Sequence, residues 1–347
     1  MIQHATTALP ATLIRGDGIG PEIADATLSV LDALGVPVAW EVHKAGREAM
    51  QAFGDPLPES TLESIRRTRL VLKGPLTTGA GSDYLPVNER LREAFKLFAN
   101  VRPARSLLPG ARFENIDLIM VRENTEGLYV GYEHYVPIDD DPEAVAEAVA
   151  IITRSGCRRI AQFTFDYALK HGRKKVTIVH KANILKKLTG LFLDTALQVG
   201  RRYQERLQVD DRIVDDCAMQ LVINPGQFDV ILTTNMFGNI LSDEIAGLVG
   251  GRGLAPCGNI GTDTAIFEVV HDPEPDKAGQ GIANPSALML AAAMMLEHAD
   301  RPEPARRLRD ALERVLRDDG IKTRDLGGAA STTQFTEAVI RRIREIA

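Results

Sequence analysis

Short β-branched runs alternate along this chain with longer stretches of helical periodicity. Residues 11–15, 70–73, 116–121, 175–179 and 230–234 are compact apolar runs and predict strands. Pro21 stands where a first helical turn would begin, ahead of Ile23, Ala26, Ala33 and Leu34. Residues 142–170 repeat apolar positions at three- and four-residue steps, which predicts one long helix. Strand and helix in alternation predict an α/β fold. No internal repeat, low-complexity tract or Ser/Pro-rich linker divides the chain. Asp139-Asp140-Asp141-Pro142 and Arg301-Pro302-Glu303-Pro304 read as loops before helices. The length of 347 residues allows two domains, and without a linker these are expected to share a sheet or exchange strands.

Composition narrows the function classes. With 44% hydrophobic and 25% charged residues, the chain is globular, which excludes disorder, collagen and coiled coil. A net charge of −6 supplies no overall positive field, so neither nucleic acid nor an anionic membrane is expected as a partner. The uncharged apolar run 287–296 falls short of the roughly 20 residues of a membrane span. The first ten residues lack the basic start and apolar stretch of a signal peptide, so a cytoplasmic location is expected. Cys157, Cys217 and Cys257 are far apart with no C-x-x-C pair, as expected of buried bystander thiols.

Several clusters carry candidate chemistry. Gly16-Asp17-Gly18-Ile19-Gly20 follows a strand and precedes a helix, but its G-x-G-x-G spacing departs from the dinucleotide fingerprint, and any tight turn takes glycine. Arg92, Arg102 and Arg122 stand in three elements. Converging guanidinium forks would suit a substrate with two or three carboxylates, whereas dispersed ones would be solvated surface. Arg102 and Arg122 each read as lying at a strand end beside a turn. Lys181 follows His180 at what reads as the mouth of a sheet, where a partly desolvated lysine can act as a base; His180 itself reads as structural. Asp215 and Asp216 read as the end of a strand. Asn239 and Asp243, four residues apart, share one face of a helix that Gly238 is expected to open. Oxygen ligands at that density suit Mg²⁺ or Mn²⁺, and helix capping accounts for them equally simply.

Taken in order, residues 15–22, 73–78, 99–103, 122–129, 180–184, 235–243, 247–251 and 283–285 resemble the β-decarboxylating dehydrogenases of isocitrate, isopropylmalate, homoisocitrate and malate or tartrate. The resemblance covers essentially the whole chain and is nearest in texture to the NAD-dependent isocitrate dehydrogenases of the mitochondrial type. It implies the isocitrate/isopropylmalate dehydrogenase-like α/β fold, with two domains sharing a mixed sheet and no standard Rossmann fingerprint. Residues 1–99 and 252–347 would form the large cofactor-binding domain and 100–251 the small domain with the dimer interface. It makes Arg92, Arg102 and Arg122 a substrate-carboxylate clamp with Asn88 beside it, and places Asn183 near substrate and nicotinamide. Tyr129 and Lys181 become the acid/base pair. Asp215, Asp243 and Asn239 take the metal positions, and Thr77, Thr78, Glu268, His271, Asp276 and Asn284 the cofactor positions. NAD is implied over NADP, because Asp276 and Lys277 replace the lysine and tyrosine of NADP-using relatives, and an aspartate there suits ribose hydroxyls and repels a 2′-phosphate. The resemblance further implies a homodimer whose lysine and first aspartate serve the neighbouring subunit's site.

Three departures fall on functional positions. Pro86 replaces a serine of isocitrate-specific members, after an unlike loop at residues 79–85, so homoisocitrate, isopropylmalate or another 3-substituted malate is an open alternative to isocitrate. Asn239 replaces an aspartate ligand, which should weaken metal binding and also resembles non-catalytic regulatory subunits. Asp272-Pro273-Glu274 replaces a small Gly-Thr-Ala stretch, where two added carboxylates would repel a pyrophosphate unless they turn away.

Overall fold

A computed structural model of the chain describes residues 8–77 and 86–346. In chain order the first elements are β1 (Leu9–Ile14), α1 (Gly20–Ala33), β2 (Val38–His43), α2 (Arg47–Phe53), α3 (Glu59–Thr68), β3 (Leu70–Lys73) and α4 (Val87–Ala94). A middle set comprises β4 (Ala99–Arg105), β5 (Asp117–Glu123), β6 (Glu133–Ile138), β7 (Asp141–Ala148), α5 (Arg154–Lys170), β8 (Lys175–His180), α6 (Leu188–Gly200), β9 (Gln208–Ile213), α7 (Val214–Ile223), β10 (Val230–Thr233) and α8 (Asn235–Leu248). The chain closes with β11 (Pro256–Ile260), β12 (Ala265–Val269), α9 (Ser286–His298), α10 (Pro302–Arg317) and α11 (Thr332–Ile346). Two compact units result: Met1–Phe95 with Ser106–Glu114 and Val249–Ala347, and Lys96–Arg105 with Asn115–Leu248.

In the first unit the strand order is β2-β1-β3-β12-β11, parallel except for the β11/β12 pair. The buried strand β3 is apolar but for its last residue, as a strand covered on both faces must be. Helix α9 is apolar nearly all round and buried along its length, and it packs on β12, β11 and β3. The run 287–296 is thus a core helix, and no helix among the described residues is long and apolar enough to cross a membrane. A polar thread fixes the outer strand. The Ser64 hydroxyl donates to Glu41 at 2.6 Å and lies 2.8 Å from the Thr12 hydroxyl, itself 2.7 Å from that of Thr68, while Arg67 Nε donates to Glu41 at 2.9 Å.

In the second unit the order is β4-β5-β10-β8-β9, with β4 antiparallel to β5 and the other four strands parallel. All five predicted strands are present to within two residues at either end. The single helix expected over 142–170 is not. Residues 141–148 instead pair with β6 as an exposed hairpin closed at Asp139, whose φ is +51°, and α5 begins only at Arg154. The stretch Glu143-Ala144-Val145-Ala146-Glu147-Ala148 satisfies a two-residue period as well as a helical one, and cross-strand pairing overrides its helix-forming alanines and glutamates. Asp139-Asp140 is accordingly a hairpin turn and not a loop before a helix, whereas Arg301 does precede α10.

The Arg67 and Ser64 contacts hold the Glu41 carboxyl down at about 2. A depressed carboxyl stabilises the fold above its ordinary value and loses that contribution as pH falls through the depressed one. Glu41→Gln should therefore cost about 1 kcal/mol in denaturant melts at pH 7, the upper end for a partly exposed pair. The deficit should shrink between pH 4.5 and 2; a deficit that persists at pH 2 would contradict this role.

Candidate active site

The site in the second unit starts from strand register. In the antiparallel β4/β5 pair Asn100 lies opposite Arg122 and Arg102 opposite Met120. Side chains alternate along a strand, so Arg102, two residues beyond Asn100, shares a sheet face with Arg122 and is its diagonal neighbour. Arg102 sits in mid-strand, not at the strand end that the sequence suggested, and Arg122 lies one residue from the end of β5.

Helix α8 packs on this face and receives both guanidinium groups. Arg122 donates to Asn235 Oδ1 from Nε at 3.0 Å and from Nη2 at 2.5 Å, and to Asn239 Oδ1 from Nη1 at 2.8 Å. Arg102 donates to the Ser242 hydroxyl at 2.7 Å and to Asn100 Oδ1 at 2.9 Å, with Asp243 at 3.4 Å. Positions 235, 239, 242 and 243 form one stripe of a 3.6-residue helix. Gly238 completes the seat, because a Cβ there would stand 2.6 Å from Arg122 Cγ. The helix opens at Asn235 and not at Gly238, whose N–H already donates to the Thr234 carbonyl at 2.9 Å, and the Asn235 amide N–H donates to the Glu126 carbonyl at 2.9 Å.

The turn after β5 carries Tyr129. Glu123 accepts hydrogen bonds from the Thr125 and Glu126 backbone N–H groups and from the Thr125 hydroxyl, while burial pushes its carboxyl above the usual range. Glu126 in turn accepts from the Thr153 N–H and hydroxyl at the start of α5. Tyr129 is half exposed and faces the Arg122 guanidinium at 5.8 Å, a cation–π contact.

Lys181 directly follows β8, and its ammonium pairs with Asp215. Asp215 and Asp216 are not a strand end as the sequence suggested: β9 stops at Ile213, and both lie in the first turn of α7, where carboxylates favour the helix N-terminus. Strands β5, β10, β8 and β9 are parallel, so Arg122, the start of α8, Lys181 and Asp215 all emerge at the same carboxyl edge, where open α/β sheets bind ligands. His180 is structural as expected, with Nε2 3.0 Å from Asp211 and Nδ1 accepting the Ala182 N–H. Asn183 is exposed in the turn beyond Lys181.

The first unit holds a cavity of about 600 Å³ lined by Ile19, Arg252, His271, Lys277, Asn284 and Arg324 among others, within the range of cofactor pockets. Its walls are tied down by carboxylates. Asp17 accepts the Arg47 and Thr77 N–H groups, which makes the glycine turn before α1 a structural turn. Gly18, at φ +59°, lies against Pro273, whose carbonyl accepts the Ile19 N–H at 2.8 Å; a Cβ on Gly18 would collide with that carbonyl. Glu22 accepts from the Gly281 and Ala283 N–H groups and the Thr332 hydroxyl. Asn284 donates to Asp325 and accepts from the Ser286 N–H at the start of α9. The two unusual carboxylates do turn toward cations: Glu274 pairs with Lys277 at 3.1 Å, and Asp272 lies 3.8 Å from Arg252. Burial lowers the basicity of His271. Arginine, lysine and backbone donors around a space of this size fit a dinucleotide diphosphate.

The remaining sequence-derived positions lie as follows. Arg92 and Asn88 are on α4, where Asn88 Oδ1 is buried without a hydrogen-bond partner among the described residues. Glu268 turns to Lys73, its register partner in β3, at 2.5 Å and accepts from Asn259. Burial works to raise the Glu268 carboxyl, but Lys73, Arg92 and Asn259 together hold the group below its ordinary range. Asp276 is exposed, and Thr78 lies outside the described residues, as does the loop at residues 79–85. The cysteines are free and buried, with burial pushing Cys157 and Cys217 up to about 12, so the thiols stay protonated. Among the described residues no group of three or more His, Cys, Asp or Glu side chains comes together. The oxygen donors Asp215 and Asp243 fit a hard divalent cation in type, but such an ion would need them joined by substrate oxygens or by a second chain. Asn235 and Ser242 were not singled out from the sequence. Their signal was available: they continue the helical face of Asn239 and Asp243 by four and three residues.

Comparison with known proteins agrees with this geometry. Residues 11–339 match the isocitrate/isopropylmalate dehydrogenase family. The chain is 44% identical to the mitochondrial NAD isocitrate dehydrogenase catalytic subunit 5 of Arabidopsis thaliana over 338 residues, 96% of this chain and 88% of that one. It is 45% identical to the 3-isopropylmalate dehydrogenase of Archaeoglobus fulgidus, over 94% of this chain and 97% of that one. The crystal structure of isocitrate dehydrogenase from Methylococcus capsulatus superposes with a TM-score of 0.92 at 50% identity, covering 96% of this chain and 99% of that one. The chain thus belongs to the isocitrate/isopropylmalate dehydrogenase family of β-decarboxylating dehydrogenases and has their α/β fold.

Proposed function

We propose that this chain catalyses the NAD-dependent, Mg²⁺- or Mn²⁺-dependent oxidative decarboxylation of a 3-carboxylated 2-hydroxy acid, with isocitrate, giving 2-oxoglutarate and CO₂, the leading substrate. The observation that carries this reading is the pair of arginines on one sheet face, seated side by side on α8. In this reading Arg102 and Arg122, with Arg92 and Asn88, grip the substrate carboxylates. Lys181 withdraws the hydroxyl proton as hydride leaves, and Tyr129 returns a proton to carbon after CO₂ departs. When bound, NAD accepts the hydride and the divalent ion supplies Lewis-acid polarisation. Asp215 and Asp243 would hold that ion. Lys181 and Asp215 would serve the site of a second copy, making the homodimer part of the mechanism, and the exposed Lys181–Asp215 pair supports delivery of the two as a unit. The cavity over His271 and Asn284 would take NAD, with Asp276 at the adenosine ribose, Thr77 and Thr78 among the cofactor-binding residues and Glu268 bracing the wall. With no membrane or nucleic-acid partner in this reading, the enzyme works in the cytoplasm.

Pro86 keeps homoisocitrate, isopropylmalate and other 3-substituted malates as alternative substrates. Asn239 favours a second reading, a regulatory subunit of an isocitrate dehydrogenase that binds substrate without turning it over. NADH formation at 340 nm by the purified chain, with Mn²⁺ and each of isocitrate, homoisocitrate, isopropylmalate and malate, decides among these. Metal-dependent turnover of one acid, abolished by EDTA, is expected; silence from a folded chain that still binds NAD and substrate would establish the regulatory reading.

Lys181→Met should lower kcat by about 10²–10⁴-fold, the usual worth of a general base. It should leave the melting temperature nearly unchanged, because its ion pair is surface-exposed; activity within tenfold of the parent would rule out the assigned role. Replacing Asp272 by Gly together with Glu274 by Ala should remove two negative charges beside Arg252 and Lys277 and tighten NAD binding severalfold in a fluorescence titration, on the order of 1 kcal/mol. Weaker binding would show that the carboxylates themselves contact the cofactor.

A further inference from the structure

We propose that Asn239 is a positioning residue for Arg122 and not a ligand for a divalent cation. The inference rests on reading Arg122 as a substrate arginine. Asn235 and Asn239, four residues apart on α8, take hydrogen bonds from all three nitrogens of the Arg122 guanidinium, so the plane of the group is fixed by two amide oxygens. Gly238 leaves between them the space that the Arg122 methylenes fill. Asn239 takes the Nη1 bond; without it the fork keeps its Asn235 contacts through Nε and Nη2.

The same geometry argues against a metal at Asn239. Its Oδ1 lies 2.8 Å from Arg122 Nη1. A divalent ion bound to that oxygen, with a ligand distance of about 2.1–2.4 Å, would stand within roughly 5 Å of a guanidinium charge. An uncharged amide does little to offset that repulsion.

The test compares the parent chain with Asn239→Ala and Asn239→Asp in three measurements: Mn²⁺ binding by electron paramagnetic resonance, isocitrate binding by calorimetry in EDTA, and phenylglyoxal labelling of Arg122 mapped by mass spectrometry. Asn239→Ala should leave Mn²⁺ affinity within twofold, weaken metal-free isocitrate binding about tenfold, as loss of order in a charged contact does, and speed labelling of Arg122. Asn239→Asp retains an oxygen acceptor and should restore both isocitrate binding and slow labelling to within about threefold. A tenfold loss of Mn²⁺ affinity in Asn239→Ala would overturn the proposal by making the amide a ligand. Unchanged isocitrate binding and labelling would overturn it too, as would failure of the aspartate to rescue. A parent chain that takes up no isocitrate would sink the substrate reading of Arg122 instead, and the labelling and Mn²⁺ measurements would still decide what Asn239 does.

Discussion

The placement of two guanidinium groups on one sheet face is the constraint on which the rest of the second unit depends. It follows from the register of β4 against β5, which sets Asn100 opposite Arg122 and leaves Arg102 on the same face. Because the side-chain period of a strand is two, a slip of one residue would send Arg102 to the opposite face while Arg122 stayed. The helix that follows β10 then has to present acceptors at the matching height, and α8 does so with a stripe of Asn, Asn, Ser and Asp. Strand pairing, helix packing and the chemistry of the site are three aspects of one arrangement.

The first unit solves a different problem, the shaping of an open cavity in a chain with an excess of acid. Its carboxylates are used inwardly. Asp17, Glu22 and Asp325 each accept backbone or side-chain donors from loops distant in sequence, so the cavity walls are held by charge-assisted hydrogen bonds. Lys73 and Glu268 form a buried pair whose disruption would leave a stranded charge. Asp272 and Glu274 look anomalous in sequence, yet each has turned to a cation of the same cavity wall.

Much of this was legible before any coordinates. The five strands were readable because buried parallel strands are continuous apolar runs. Arg102, Arg122, Tyr129 and Lys181 could be singled out as candidates because they sit in the ordered motifs of a resemblance that spans the chain, whereas Asp215 lies outside those motifs. The β6–β7 hairpin was not, since alternating Ala, Val and Glu fit both periods and nothing local chooses between them. The first turn of α7 was assigned to a strand because two acidic residues after an apolar run mark a helix N-terminus as readily as a strand end. Asn235 and Ser242 were missed because their importance lies in partners more than a hundred residues away, Arg122 and Arg102, which no local pattern encodes.

The glycine at 238 has a consequence for how such a sequence can drift. Its missing Cβ is space already filled by the methylenes of Arg122, so the two positions occupy one volume between them. Any larger residue on the helix could be accommodated only by a shorter side chain on the strand, and a shorter side chain there carries no guanidinium. The constraint runs one way: the arginine at the end of β5 demands the glycine, whereas the glycine would tolerate any smaller residue opposite it.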